Sequence, residues 1–93
     1  MKKYTQQQLD EYLRDRRSED IYLINCDLRW LDLARADLDE AVLSGCNLSF
    51  ADLSYADLSD ANLFEANLKY ANLRRANMTG AFLKDADLEG ADL

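Results

Sequence analysis

The chain has 93 residues, a net charge of −7, no histidine, no proline and three glycines. That length holds one small domain, and the charge excludes a protein that grips nucleic-acid phosphates electrostatically. With no histidine, no Gly-rich phosphate loop and only two cysteines at no metal spacing, it carries no catalytic, cofactor-binding or metal-ligating constellation, so an enzyme is not expected.

No apolar run approaches a membrane span. The start, Met1-Lys2-Lys3-Tyr4-Thr5-Gln6-Gln7-Gln8, turns polar where a signal peptide needs an apolar stretch. A soluble, cytoplasmic protein without membrane contact is expected. Residues 5–17 read as a helix. Thr5 is a good N-cap, and Gln8 three residues later completes a capping box. Tyr4 and Leu9 stand at the staple positions, and Leu9, Tyr12 and Leu13 make a narrow apolar stripe. Arg14, Arg16 and Arg17 suit the negative end of the helix dipole. A helix this short needs a surface to lie on. Ser18-Glu19-Asp20 is the connection, so residues 1–20 form a capping helix with its linker and residues 21–93 a second unit.

From Ile21 a five-residue phrase repeats. A large apolar residue recurs at Leu23, Leu28, Leu33, Leu38, Leu43, Leu48, Leu53, Leu58, Leu63, Leu68, Leu73, Met78, Leu83, Leu88 and Leu93. Two residues before each stands a small or apolar residue, most often Ala, and directly before each, most often Asp or Asn. A period of five is neither that of a long strand nor that of an amphipathic helix. The two apolar positions are two apart, the spacing of one strand face, so the rest of the phrase must turn the chain to bring the next pair inward. Repeated, this gives a solenoid with a Leu and Ala inner wall and a corner every five residues. Asp and Asn interchange in the slot before the leucine, which points to service of the turn backbone. Seven of the thirteen acids in residues 21–93 occupy that slot, so most of the net charge is a by-product of the phrase.

Departures from the phrase set the number of sides. Cys26 and Cys46 are 20 apart, as are Trp30, Phe50 and Tyr70, and Arg35, Tyr55 and Arg75. Tyr22, Val42 and Phe82 invade the Asp/Asn slot in the same register. Four phrases therefore close one coil. Both cysteines take the small-residue position and read as buried apolar thiols.

The A-(D/N)-L-x-x phrase, as in Ala51-Asp52-Leu53-Ser54-Tyr55, resembles that of the pentapeptide-repeat family. The resemblance covers residues 21–93 and implies an all-β solenoid, a right-handed quadrilateral β-helix of about four coils, here with a short N-terminal capping α-helix. It implies a non-enzymatic protein-interaction or scaffold module. Two further implications are an end-to-end homodimer, here through Leu88 and Leu93 at the uncapped C-terminal end, and mimicry of DNA. Acidic rods of the family that confer quinolone resistance bind DNA gyrase as duplex DNA would.

The register also sorts the surface. The first face gathers outward Tyr22, Ile24, Val42, Phe64 and Phe82, a cluster that suggests an interface with a protein partner unless the N-terminal helix folds over part of it. The second ends in the column Trp30, Phe50, Tyr70, a structural ladder or a binding stripe. The third sets Arg35 and Arg75 about Tyr55 with Arg74 alongside. The fourth collects Asp37, Asp39, Glu40, Asp57 and Asp60, a candidate acidic patch or a solvated face. Ser44, Ser49, Ser54 and Ser59 circle one coil and form no hydroxyl column.

Overall fold

The computed structural model describes all 93 residues. Every residue of the Asp/Asn slot that has a partner pairs in parallel with the residue twenty positions on: Tyr22 with Val42, Asp27 with Asn47, Asp32 with Asp52, Asp37 with Asp57, and so on to Asn72 with Asp92. Four such ladders per twenty residues make each coil four-sided. Three backbone hydrogen bonds per phrase tie one coil to the next. On the first face, for example, Leu43 N–H donates to Asn62 C=O at 2.8 Å, Gly45 N–H to Phe64 C=O at 2.8 Å, and Val42 N–H to Ile21 C=O at 2.9 Å.

The corners follow one rule. The residue two after each leucine has positive φ at all fourteen corners from residue 25 to residue 90; eleven are not glycine. A bond such as Ala36 N–H to Leu33 C=O at 3.1 Å spans the corner, and with positive φ between them this is a type II turn. The slot residue closes the turn a second time. Oδ1 of Asn47, Asp52, Asp57, Asn62, Asn67, Asn72, Asn77 and Asp87 each accepts the N–H two residues on, at 3.0 to 3.1 Å. Asp and Asn interchange because both supply that oxygen.

The core is one cluster of 23 buried residues. Leu28, Leu38, Leu43, Leu48, Leu53, Leu58, Leu63 and Leu68 are wholly buried, with Ala or Cys of the small-residue position between them. Cys26 and Cys46 are free and buried, and burial pushes the Cys46 thiol up to about 12.

The N-terminal segment closes the upper end more thoroughly than its sequence announces. Helix α1 spans Gln6–Arg14, three residues shorter at its C-terminal end than the expected 5–17. Past Arg14 the chain turns away, and Arg16 folds back: its Nε donates to Tyr12 C=O at 2.8 Å and its guanidinium lies 4.0 Å from the Tyr12 ring centre. A local cation–π and carbonyl contact takes the place of the last helical turn. The capping box forms as the sequence indicates, with Thr5 and Gln8 exchanging side-chain bonds. A single 3₁₀ turn, Ser18–Asp20, connects α1 to the repeat.

Before α1 lies a strand that no sequence pattern marks. β1, Lys2–Lys3, pairs in parallel with β2, Cys26–Asp27, on the upper edge of the second face. The Gln6 amide then does the same for the third face: Oε1 accepts Asp32 N–H at 2.7 Å and Nε2 donates to Asp32 C=O at 2.9 Å. The Tyr12 hydroxyl serves the first face, accepting Tyr22 N–H at 3.0 Å and donating to Tyr22 C=O at 3.3 Å. Three of the four upper edges thus receive the hydrogen bonds that a preceding coil would have supplied, while Leu9 and Tyr4 plug the core. The fourth edge, at Asp37, is exposed.

At the lower end nothing plays this part. Met78, Leu83 and Leu88 are only half-buried, and their N–H groups have no acceptor. Leu93 is 77% exposed.

Candidate functional site

The ladders put the off-consensus residues of the first face into one column. Tyr22, Val42, Asn62 and Phe82 follow one another on four successive coils, paired backbone to backbone. Phe64 leans from its corner onto Phe82, ring centres 6.1 Å apart and planes 21° apart. Tyr22, Ile24 and Phe82 are each more than half exposed. Helix α1 does not cover this face. Its Tyr12 hydroxyl bonds the Tyr22 backbone at the coil end, and the Tyr22, Ile24 and Phe82 side chains stay exposed.

This face also forgoes a stabilising bond. Tyr22, Val42 and Phe82 have no side-chain oxygen at the position where Asp or Asn would accept the turn N–H, a bond worth about 0.5–1.5 kcal/mol. Asn62 alone on this face keeps it, to Phe64 N–H at 3.1 Å.

The second-face aromatics stack. Trp30 and Phe50 have ring centres 4.3 Å apart and planes 9° apart, Phe50 and Tyr70 5.1 Å and 17°. Gly90 extends the column: a Cβ there would stand 2.5 Å from two carbons of the Tyr70 ring, so only glycine lets that ring lie flat over the coil below. Ring faces are used against one another, while the ring edges and the outer face of Trp30 stay exposed.

On the third face, the Arg35 guanidinium lies 4.6 Å from the Tyr55 ring centre. Arg75, on the next coil, makes no such contact, and Arg74 pairs instead with Asp92 at 3.1 Å. Ser54, Tyr55, Asn72, Arg74, Arg75 and Leu93 line an open cleft of about 610 Å³.

On the fourth face, Asp37 and Asp57 stand on adjacent rungs. Ser59 Oγ lies 2.6 Å from Asp57 Oδ1 and 2.8 Å from Asp39 Oδ1, joining two carboxylates of neighbouring coils. Hydrogen bonds from Ser59 hold the Asp57 carboxyl below the usual carboxylate range. Glu40 and Asp60 occupy the adjoining corner with φ of 63° and 55°. Five acids here meet no cation within ion-pair distance. The sequence placed each of these groups on its face; the Ser59 bridge and the hydrogen bonds of Gln6 and Tyr12 gave no signal, being contacts across coils or across the chain.

A family model for pentapeptide repeats (8 copies) matches residues 21–59 and 56–93. The chain is a pentapeptide-repeat protein. Its relatives of known structure agree. It is similar to alr5209, a pentapeptide repeat protein from Nostoc PCC 7120, at 39% identity and a TM-score of 0.76, over 94% of this chain and 77% of that one. It is similar to HetL from Nostoc sp. strain PCC 7120, a pentapeptide repeat protein involved in heterocyst differentiation regulation, at 35% identity and a TM-score of 0.54. That match covers 75% of this chain and 46% of HetL, so the pentapeptide-repeat chain spans less than half of that relative. QnrB1, a plasmid-mediated fluoroquinolone resistance protein, shares the fold at 22% identity, a TM-score of 0.56, and 75% and 47% coverage. A search of curated proteins returned no match. No helix is long and apolar enough to cross a membrane.

Proposed function

We infer that this pentapeptide-repeat protein is a non-enzymatic interaction module that binds a protein partner through its first face. The observation that carries the reading is the sacrifice made there. Three of four slot positions give up the turn-closing oxygen, exposing Tyr22 and Phe82 beside exposed Ile24 and half-buried Val42 and Phe64. Stacking of Phe64 on Phe82 returns part of that loss to the fold, and burial against a partner recovers about 25 cal/mol for each Å² of apolar surface removed from water. Chain order sets this face between the acidic fourth face and the second face, whose far corner carries the aromatic column. The cytoplasm suits the module, since its two thiols are free. Replacing Phe64→Ser and Phe82→Ser together is the test. Loss of captured partners, with the melting profile retained, is expected; an unchanged partner set and unchanged oligomeric state would refute the assignment.

The second reading is a DNA mimic acting on gyrase or another DNA-binding protein. Its support is the fourth face, where Asp37, Asp39, Glu40, Asp57 and Asp60 meet no cation. Slot chemistry already explains Asp37 and Asp57, as it does seven of the thirteen acids of residues 21–93, which keeps the reading second. A gyrase supercoiling assay decides it: no inhibition or protection at large molar excess removes it. An end-to-end homodimer through Leu88 and Leu93 would cover the open lower coil, and sedimentation at high concentration tests it, a clean monomer ruling it out.

A further inference from the structure

The first face has edges of a definite charge. The corner that leads into it carries Glu40 and Asp60, and the corner that leads out of it carries Glu65 and Asp85. All four side chains are exposed, all four corners have φ between 55° and 63°, and none of the four is in an ion pair. The slot-closing role that accounts for most acids of this chain does not apply to them, because they stand at the corner, three residues beyond the slot. Between the two acidic edges run Tyr22, Val42, Phe64 and Phe82. The bases on or near the strip are Lys84 at its lower end and Arg16, held on Tyr12 at its upper end. Glu40 and Asp60 thus flank the middle of the apolar strip on one side and Glu65 and Asp85 its lower half on the other, where Asn25 and Gly45 leave the upper half neutral, and this pattern selects a partner of complementary charge.

Resting on the first-face reading above, we propose that the partner is an amphipathic helix whose apolar stripe is flanked on both sides by Lys and Arg. The dimensions agree. Coils repeat at about 4.8 Å and an α-helix rises about 5.4 Å per turn, so a helix laid along the rod sets about one turn against each coil. Four coils span about 14 Å between the first and the last, which matches about ten helical residues. Apolar residues at i, i+3, i+4 and i+7 meet the Tyr22-to-Phe82 column, the anchor spacing by which amphipathic helices dock an apolar surface. Lys or Arg on the two shoulders of that stripe meets Glu40 and Asp60 on one side and Glu65 and Asp85 on the other.

The test uses the 93-residue protein and a phage library of random 16-residue peptides panned against it. The expected pool is net positive, with bases flanking an i, i+3, i+4, i+7 apolar stripe. Synthetic members are titrated by fluorescence polarisation against three proteins. These are the unaltered chain, the Phe64→Ser/Phe82→Ser variant, and a variant with Glu40→Asn, Asp60→Asn, Glu65→Asn and Asp85→Asn. Asparagine accepts positive φ, so the second variant removes charge without straining the corners. Binding weakened about tenfold or more in both variants supports the proposal. A neutral or acidic pool, or no enrichment, overturns it. Binding lost in the Phe variant but unchanged in the charge variant overturns the basic helix and leaves the first face standing. Binding unchanged in both overturns the basic helix and the first-face reading together.

Discussion

Leu48→Ala and Leu88→Ala are the same change at the same position of the phrase on the same face, two coils apart, and they separate the closed from the open part of the rod. Leu48 is wholly buried between Leu28 above and Leu68 below, themselves wholly buried. Removing three carbons forfeits about 2.4 kcal/mol of transfer energy at about 0.8 kcal/mol per group. The cavity adds to this, because the coil cannot collapse. Leu28 N–H is tied to Asn47 C=O at 2.8 Å and Leu48 N–H to Asn67 C=O at 2.7 Å. A total loss of about 3–5 kcal/mol follows. Leu88 has a neighbour on one side only and is half-buried, so its truncation costs roughly half or less of that, about 1–2 kcal/mol. For a chain of this size about 1 kcal/mol moves Tm by about 4–8 °C. Scanning calorimetry with urea unfolding at two protein concentrations gives both values. Equal losses at the two positions would refute the reasoning, for they would show the lower coil to be covered in solution, by a second copy or otherwise.

Hydrogen bonds depress the carboxyls of Asp27 (from Arg29), Asp52 (from Ser54) and Asp57 (from Ser59). Their contribution is therefore present above the unfolded value of about 3.9 and is lost as pH falls through the lower folded values. The urea midpoint should drop below about pH 4, and Asp52→Asn with Asp57→Asn should flatten that drop, since Asn keeps the turn bond. Gly45→Ala places a Cβ against the Asn25 side chain at a corner with φ of 70°. It should cost at least about 1–2 kcal/mol in thermal unfolding. Gln6→Ala removes both side-chain bonds to Asp32. The expected loss is about 1 kcal/mol, with faster hydrogen exchange at the Asp32 amide, and unchanged exchange there would show that Gln6 does not cap the coil.

How much was legible differs from feature to feature. The Trp30, Phe50, Tyr70 column and the Tyr22, Val42, Phe82 column could be read from a spacing of twenty, because parallel in-register coils turn sequence distance into vertical neighbours. The Asp/Asn exchange by itself points to a turn oxygen, since both residues supply one. The helix expected over 5–17 ends three residues early, at Arg14, where Arg16 meets the Tyr12 ring and carbonyl in place of one more helical turn. β1 left no trace: two lysines carry no strand signal, and only the unpaired edge of Cys26–Asp27 makes them a strand.

The division has a physical reason. A five-residue phrase determines its own turn, its inward side chains and its rung on the next coil, because every one of those interactions repeats at a fixed spacing along the chain. The sequence therefore determined the solenoid, the four sides and the residues each side presents. What happens at the ends and edges does not repeat. The sealing of three upper edges by β1, Gln6 and Tyr12, the exposed first face beside α1, and the Ser59 bridge depend on groups meeting once, and only the tertiary structure decided them.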